Sequence, residues 1–131
     1  MGSVITFPAF LFSRGENTLK NSYTLTAKFK RESKQVVPIV TYGDAVELKF
    51  QIILDPATDL EGVTNCRVAF KDVFMGDIVK IDASFDSEEN IVTCIVNPFE
   101  VGNGLQLVKV FFYSDPQTRV STRPIKILVT N

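Results

Sequence analysis

A chain of 131 residues without a single histidine holds no Ser-His, Cys-His or His-metal arrangement of its own. Its fourteen basic and fifteen acidic residues nearly cancel, so no net field draws it to nucleic acid or to anionic lipid. With 45% hydrophobic and 22% charged residues, the composition is that of one folded domain with its own core, not of a disordered segment.

The chain begins with an apolar stretch, Val4-Ile5-Thr6-Phe7-Pro8-Ala9-Phe10-Leu11-Phe12. It is short, contains Pro8 and lacks a basic leader, so it reads as neither a signal peptide nor a membrane span, and no membrane partner is expected. Residues 1–20 read instead as an arm. Its side chains Val4, Phe7, Phe10 and Phe12 need cover from an added edge strand or from another subunit.

From Ser22 onward the period is two almost everywhere, which predicts strands. Tyr23, Leu25, Ala27 and Phe29 share one face of the first. The bases from Lys20 to Lys34 read as a solvated edge strand and turn. Val36 to Thr41 is a β-branched run that Pro38 demotes to an edge or a bulge, because proline cannot donate to a ladder. Val36 and Val37 on that edge are candidates for pairing with a neighbouring chain.

Thr41-Tyr42-Gly43-Asp44 then turns the chain into Val46, Leu48, Phe50 and Ile52, all inward. Gly43 is expected to supply an unusual φ, and Asp44 to cap the turn with its carboxylate. A loop over Asp55–Gly62 leads to Cys66, Val68 and Phe70, and Met75-Gly76-Asp77 leads to Val79, Ile81, Ala83 and Phe85. Asp86-Ser87-Glu88-Glu89-Asn90 reads as a hairpin loop before Ile91–Val96, and residues 97–104 break the pattern. Leu105–Tyr113 is apolar on both faces and is expected at the centre. A final strand over Val120–Val129 is interrupted by Pro124.

About 8–9 strands with a turn signal roughly every ten residues, and no helical stripe, predict two packed antiparallel sheets. The expected fold is an all-β, immunoglobulin-like β-sandwich over residues 21–131 with the arm at 1–20, a closed barrel being the alternative.

Little in the sequence points to chemistry. The acid pairs Asp44 with Glu47, Asp82 with Asp86, and Glu88 with Glu89 fall in turns or on outward strand positions, where solvated acids belong. The 86–90 loop lacks the glycine and bidentate acid of a calcium loop. Gly102-Asn103-Gly104 is followed by neither Lys-Ser/Thr nor a helix, so it is a turn and not a phosphate cradle. The bases are scattered and the aromatics face mostly inward, so no nucleic-acid partner is expected. Cys66 and Cys94 sit in apolar runs, as buried small hydrophobes or as an intersheet disulfide. No enzyme activity, metal or cofactor is expected, which leaves a module that works through its surfaces.

From Tyr42 onward the order of features is similar to a known family. Tyr42-Gly43-Asp44 enters an alternating strand, and Asp59-Leu60-Glu61-Gly62 precedes Val68-Ala69-Phe70-Lys71. Val101–Tyr113 follows with its paired glycines, and Arg119–Val129 ends the pattern. Over residues 42–129 this resembles the N-terminal immunoglobulin-like domain of tailed-phage baseplate upper proteins of Gram-positive phages and prophages. The resemblance implies a non-enzymatic structural module of the virion, produced in the host cytoplasm, that joins other tail and baseplate proteins as a homo-oligomer and presents receptor-binding proteins. Two other readings stay open for a bacterial surface or secreted protein: a carbohydrate-binding module using Tyr42, Phe74 and Tyr113, and an adhesin-type module with a Cys66–Cys94 bridge.

Overall fold

The alternating segments become strands because each places its apolar set on one face. The structure, a computed structural model, describes residues 19–131, and the regular elements among these are all strands. They are β1 (Asn21–Lys28), β2 (Ile39–Thr41), β3 (Val46–Ile53), β4 (Asn65–Asp72), β5 (Ile78–Asp86), β6 (Ile91–Val96), β7 (Gly104–Asp115), β8 (Thr118–Ser121) and β9 (Ile125–Thr130). Leu25 and Ala27 of β1, the four inward residues of β3, and Val68 and Phe70 of β4 are buried in one continuous core. Ile125, Ile127 and Val129 join it from β9. A fully buried side chain of this size contributes roughly 1.5–3 kcal/mol.

The strands follow the order β1-β3-β6-β5-β4-β7-β9-β2, with β8 beside β7. Here the structure corrects the expected pair of separate antiparallel sheets. The pairing is handed on along β5, whose Ile78–Ala83 pair with β4 and whose Ser84–Asp86 pair with β6. The result is a single curled, open sheet whose apolar face is turned inward. Both of its edges are parallel pairs, β1 with β3 and β2 with β9. Two parallel edges are possible because residues 29–38 run back along β1 before β2 begins.

The seam between those edges carries no ladder. Across it the Gln35 side-chain amide serves as a strand residue would: its Oε1 accepts from the Thr26 N–H and its Nε2 donates to the Thr26 C=O, both at 2.8 Å. Nearer the β2 end, the Tyr23 hydroxyl donates to the Ile39 carbonyl at 3.3 Å.

The expected last strand is two strands. At the break, Thr122 is buried, its N–H donates to the Val110 carbonyl at 3.0 Å, and its hydroxyl accepts from the Val110 N–H at 3.0 Å. One threonine thus keeps the central strand paired where Pro124 has no N–H to give. The turn before β3 forms as expected, with Asp44 N–H donating to Thr41 C=O at 3.1 Å and Gly43 at φ +94°. Glycine is required twice over there, because a Cβ on Gly43 would lie 2.8 Å from the Phe99 ring.

Candidate interaction surfaces

The strand directions put two loop clusters at opposite ends of the sheet. The turns at 42–45, 73–77 and 97–103 share one end, and the loops at 54–64, 87–90 and 116–117 share the other. Most acids in these loops hold backbone. Asp55 Oδ1 accepts from Ala57 N–H at 2.8 Å and Asp59 Oδ1 from Glu61 N–H at 2.9 Å. Asp86 Oδ1 accepts from Glu88 N–H at 3.0 Å, and Asp115 Oδ1 from Gln117 N–H at 2.8 Å. Asp44 departs from its expected cap: its carboxylate accepts the Asn21 side-chain amide at 3.3 Å, while Glu47 accepts the Ser22 hydroxyl at 3.0 Å. Of the other acids considered for hydrolysis, Asp82 pairs with Arg67 at 3.1 Å, and Glu88 and Glu89 are exposed.

Asp72 organises the β4–β5 turn. Its Oδ1 accepts from Phe74 N–H at 2.9 Å and from Met75 N–H at 2.8 Å, and its Oδ2 accepts from Gln106 Nε2 at 3.3 Å. The Met75 N–H, chiefly, holds the Asp72 carboxyl below its ordinary range. The same turn thrusts Phe74, 84% exposed, and Met75 into solvent beside exposed Val73 and Ile78. Tyr42 is half-buried against Phe99, with centroids 5.0 Å apart, and Tyr113 is half-buried beside Phe111. Phe74 lies at the opposite end of β4 from Tyr113, a strand length of roughly 23 Å, so the three rings form no sugar-stacking row.

Cys66 and Cys94 are buried thiols on β4 and β6, and no disulfide joins them. Burial pushes the Cys66 thiol up to about 12.

Of the expected interface residues, Val36 is 88% exposed and Val37 is also exposed, on the segment along the seam and next to exposed Ile39. Val4, Phe7, Phe10 and Phe12 lie outside the described residues.

The bases are not scattered, and this is the surface the sequence reading missed. Arg67 and Lys71 of β4, Lys80 of β5, Lys109 of β7, Arg119 of β8 and Lys126 of β9 all occupy the outer face of one half of the sheet. Ala69 lies directly opposite Lys80 on one side and Lys109 on the other, so a small floor is flanked by two cations. The groove over it, about 520 Å³, is closed by Lys71, Arg119, Ile78 and Leu107. Phe111 packs beneath, with the Arg119 guanidinium 4.7 Å and Lys80 Nζ 5.7 Å from its ring centroid. Among the described residues only Arg67 of this set is ion-paired, to Asp82 at 3.1 Å.

A phage domain shares this fold. The N-terminal domain of phage TP901-1 ORF48 superposes with a TM-score of 0.69, at 12% identity, covering 86% of this chain and 100% of that one. A cysteine protease inhibitor from Entamoeba histolytica aligns at a TM-score of 0.34 and 8% identity, over 82% of this chain and 97% of that one, too loosely to relate the two folds. No family profile and no curated protein matches the chain.

Proposed function

We propose that this chain is a non-enzymatic structural module of a phage tail or baseplate, a virion component that assembles with other tail proteins and helps present receptor-binding proteins. The observation that carries the reading is the superposition on the whole of a phage protein's N-terminal domain. The order of turn and strand signatures from Tyr42 to Val129 supports it from a separate direction. Asp55, Asp59, Asp86 and Asp115 hold turn backbone, as structural acids do. The immunoglobulin-like relationship belongs to the same proposal. β3 pairs with β6, and β4 pairs with β7, which pairs with β9; strands B with E, and C with F with G, pair in that way in an immunoglobulin domain.

On this reading the chain is a homo-oligomer with an apolar contact through Val4, Phe7, Phe10 and Phe12 of the arm and Val36 and Val37 along the seam. The test of the function is the composition of purified virions from a phage or prophage that encodes the chain. The protein is expected in the tail fraction at a fixed copy ratio to other tail proteins, and its absence from intact tails refutes the assignment. The oligomer is tested by deleting residues 1–13: light scattering should show a smaller mass, and an unchanged mass removes the arm from the interface.

A further inference from the structure

We propose that the cationic groove over Ala69 receives the acidic β5–β6 hairpin tip of a second copy of this chain. The groove presents Lys80 and Lys109 on the two strands flanking β4, roughly 10 Å apart across the sheet, with Lys71 and Arg119 at its ends. None of these four is ion-paired among the described residues. Four cations around one groove repel one another, and Asp82, the outward acid two residues along β5 from Lys80, is occupied by Arg67. An incoming pair of carboxylates relieves that repulsion.

The hairpin tip has the matching form. Asp86 accepts from Glu88 N–H at 3.0 Å and Glu89 N–H at 3.3 Å, and Asn90 closes the turn at φ 55°. Gln51 Nε2 ties the Glu89 carbonyl to β3 at 3.0 Å. The turn is therefore held by Asp86, Asn90 and Gln51, while the Glu88 and Glu89 side chains stay exposed and outside any ion pair among the described residues. This is a narrow, preorganised prong carrying two carboxylates.

Prong and groove cannot satisfy each other within one chain. Both belong to β5, and the six residues from Lys80 to Asp86 separate them by roughly 20 Å of extended strand. Each copy thus offers one acceptor and one donor on different surfaces, a head-to-side contact that closes into a ring or continues as a filament. The contact is ionic and independent of the apolar arm, and it stands whether or not the chain belongs to a phage tail.

Sedimentation of the full chain across a concentration series tests the proposal, at about 0.1 M and about 1 M salt, where the screening length falls from about 10 Å to about 3 Å. In low salt the average mass should rise with concentration, and that rise should be lost in high salt. The double variants Lys80→Glu with Lys109→Glu, and Glu88→Lys with Glu89→Lys, should each lose it alone and recover it when mixed in equal amounts, because each then meets its opposite charge. Melting curves establish that the variants fold, and Lys80→Gln and Glu88→Gln replace any that do not. The proposal is overturned by an association that ignores salt and both reversals, as an arm-only contact would, or by a mixture that fails to recover. It is equally overturned if a short DNA duplex binds the groove in a Lys80- and Lys109-dependent way while the chain itself shows no salt-sensitive association.

Discussion

Removing the Gln35 amide tests whether a single side chain closes the seam of the open sheet. Gln35 makes two 2.8 Å bonds to the backbone of Thr26, on the side of β1 away from β3, where no strand adjoins it. A net hydrogen bond of this kind contributes about 0.5–1.5 kcal/mol, so Gln35→Ala should cost roughly 1–3 kcal/mol. Because the site is only partly buried and water can reach Thr26 in the variant, the lower half of that interval is expected. For a chain of this size, that is a fall in melting temperature of roughly 4 °C per kcal/mol.

Gln35→Glu separates the two bonds. Its carboxylate still accepts from the Thr26 N–H but faces the Thr26 carbonyl with lone pairs; only the protonated acid can donate there. Folding therefore favours the protonated form and raises the folded-state pKa above the unfolded value of about 4.3. The restored stability should be fully present below about pH 4.3 and lost as pH rises through the folded pKa. Urea denaturation of Gln35→Glu and the unsubstituted protein at several pH values reads this as a gap that widens with pH. A Gln35→Ala cost below about 0.5 kcal/mol, or a pH-independent gap for Gln35→Glu, would refute the closure argument.

Gly43→Ala should destabilise by about 1–3 kcal/mol in the same assay, since it forces a side chain onto a positive φ and against Phe99. Thr122→Val, nearly isosteric, should cost about 1–3 kcal/mol by leaving the buried Val110 N–H without its acceptor. Asp72→Asn should flatten the acid limb of stability: the depressed carboxyl of Asp72 stabilises the fold above its unfolded pKa, and that contribution is lost as pH falls through the folded value. The Cys66 thiol, pushed up to about 12 by burial, should resist thiol reagents at mildly alkaline pH in the native protein and react at once in denaturant; rapid native labelling would contradict the burial.

The strands were legible because alternation is a local property: Val46, Leu48, Phe50 and Ile52 face the core for a reason visible in four consecutive pairs of residues. Pro38, which has no N–H to give, pointed to an edge or a bulge, and the strand that follows it lies at an edge. Strand direction was not legible. Nothing within Asn21–Lys28 encodes a parallel partner; the direction follows from residues 29–38 retracing β1, and the signal for that is one glutamine whose amide imitates a backbone unit. The two-sheet expectation failed at β5, where a single strand feeds both halves of the ladder, a feature of length and twist and not of residue type. The basic groove was hidden for a third reason. Its lysines and arginines are one or two per strand, so a reading along the chain finds them scattered, and only the cross-strand register of Ala69 with Lys80 and Lys109 brings them together.

Many of the acidic side chains are engaged within the fold. Asp55, Asp59, Asp72, Asp86 and Asp115 are each consumed by a turn, Asp82 by Arg67, and Glu47 by Ser22. Among the exposed groups that no hydrogen bond or ion pair ties down are Val36 on the seam, Phe74 and Met75 on the Asp72 turn, Glu88 and Glu89 on the Asp86 hairpin, and Lys71 and Lys109 beside Ala69. An exposed phenylalanine or a cluster of unpaired lysines stabilises no monomer, and the turns that carry them are held in place by other residues. The fixed turns under free side chains are the physical ground for reading this domain through its surfaces: the backbone that carries these groups is already held, so that binding has side chains to order but not turns.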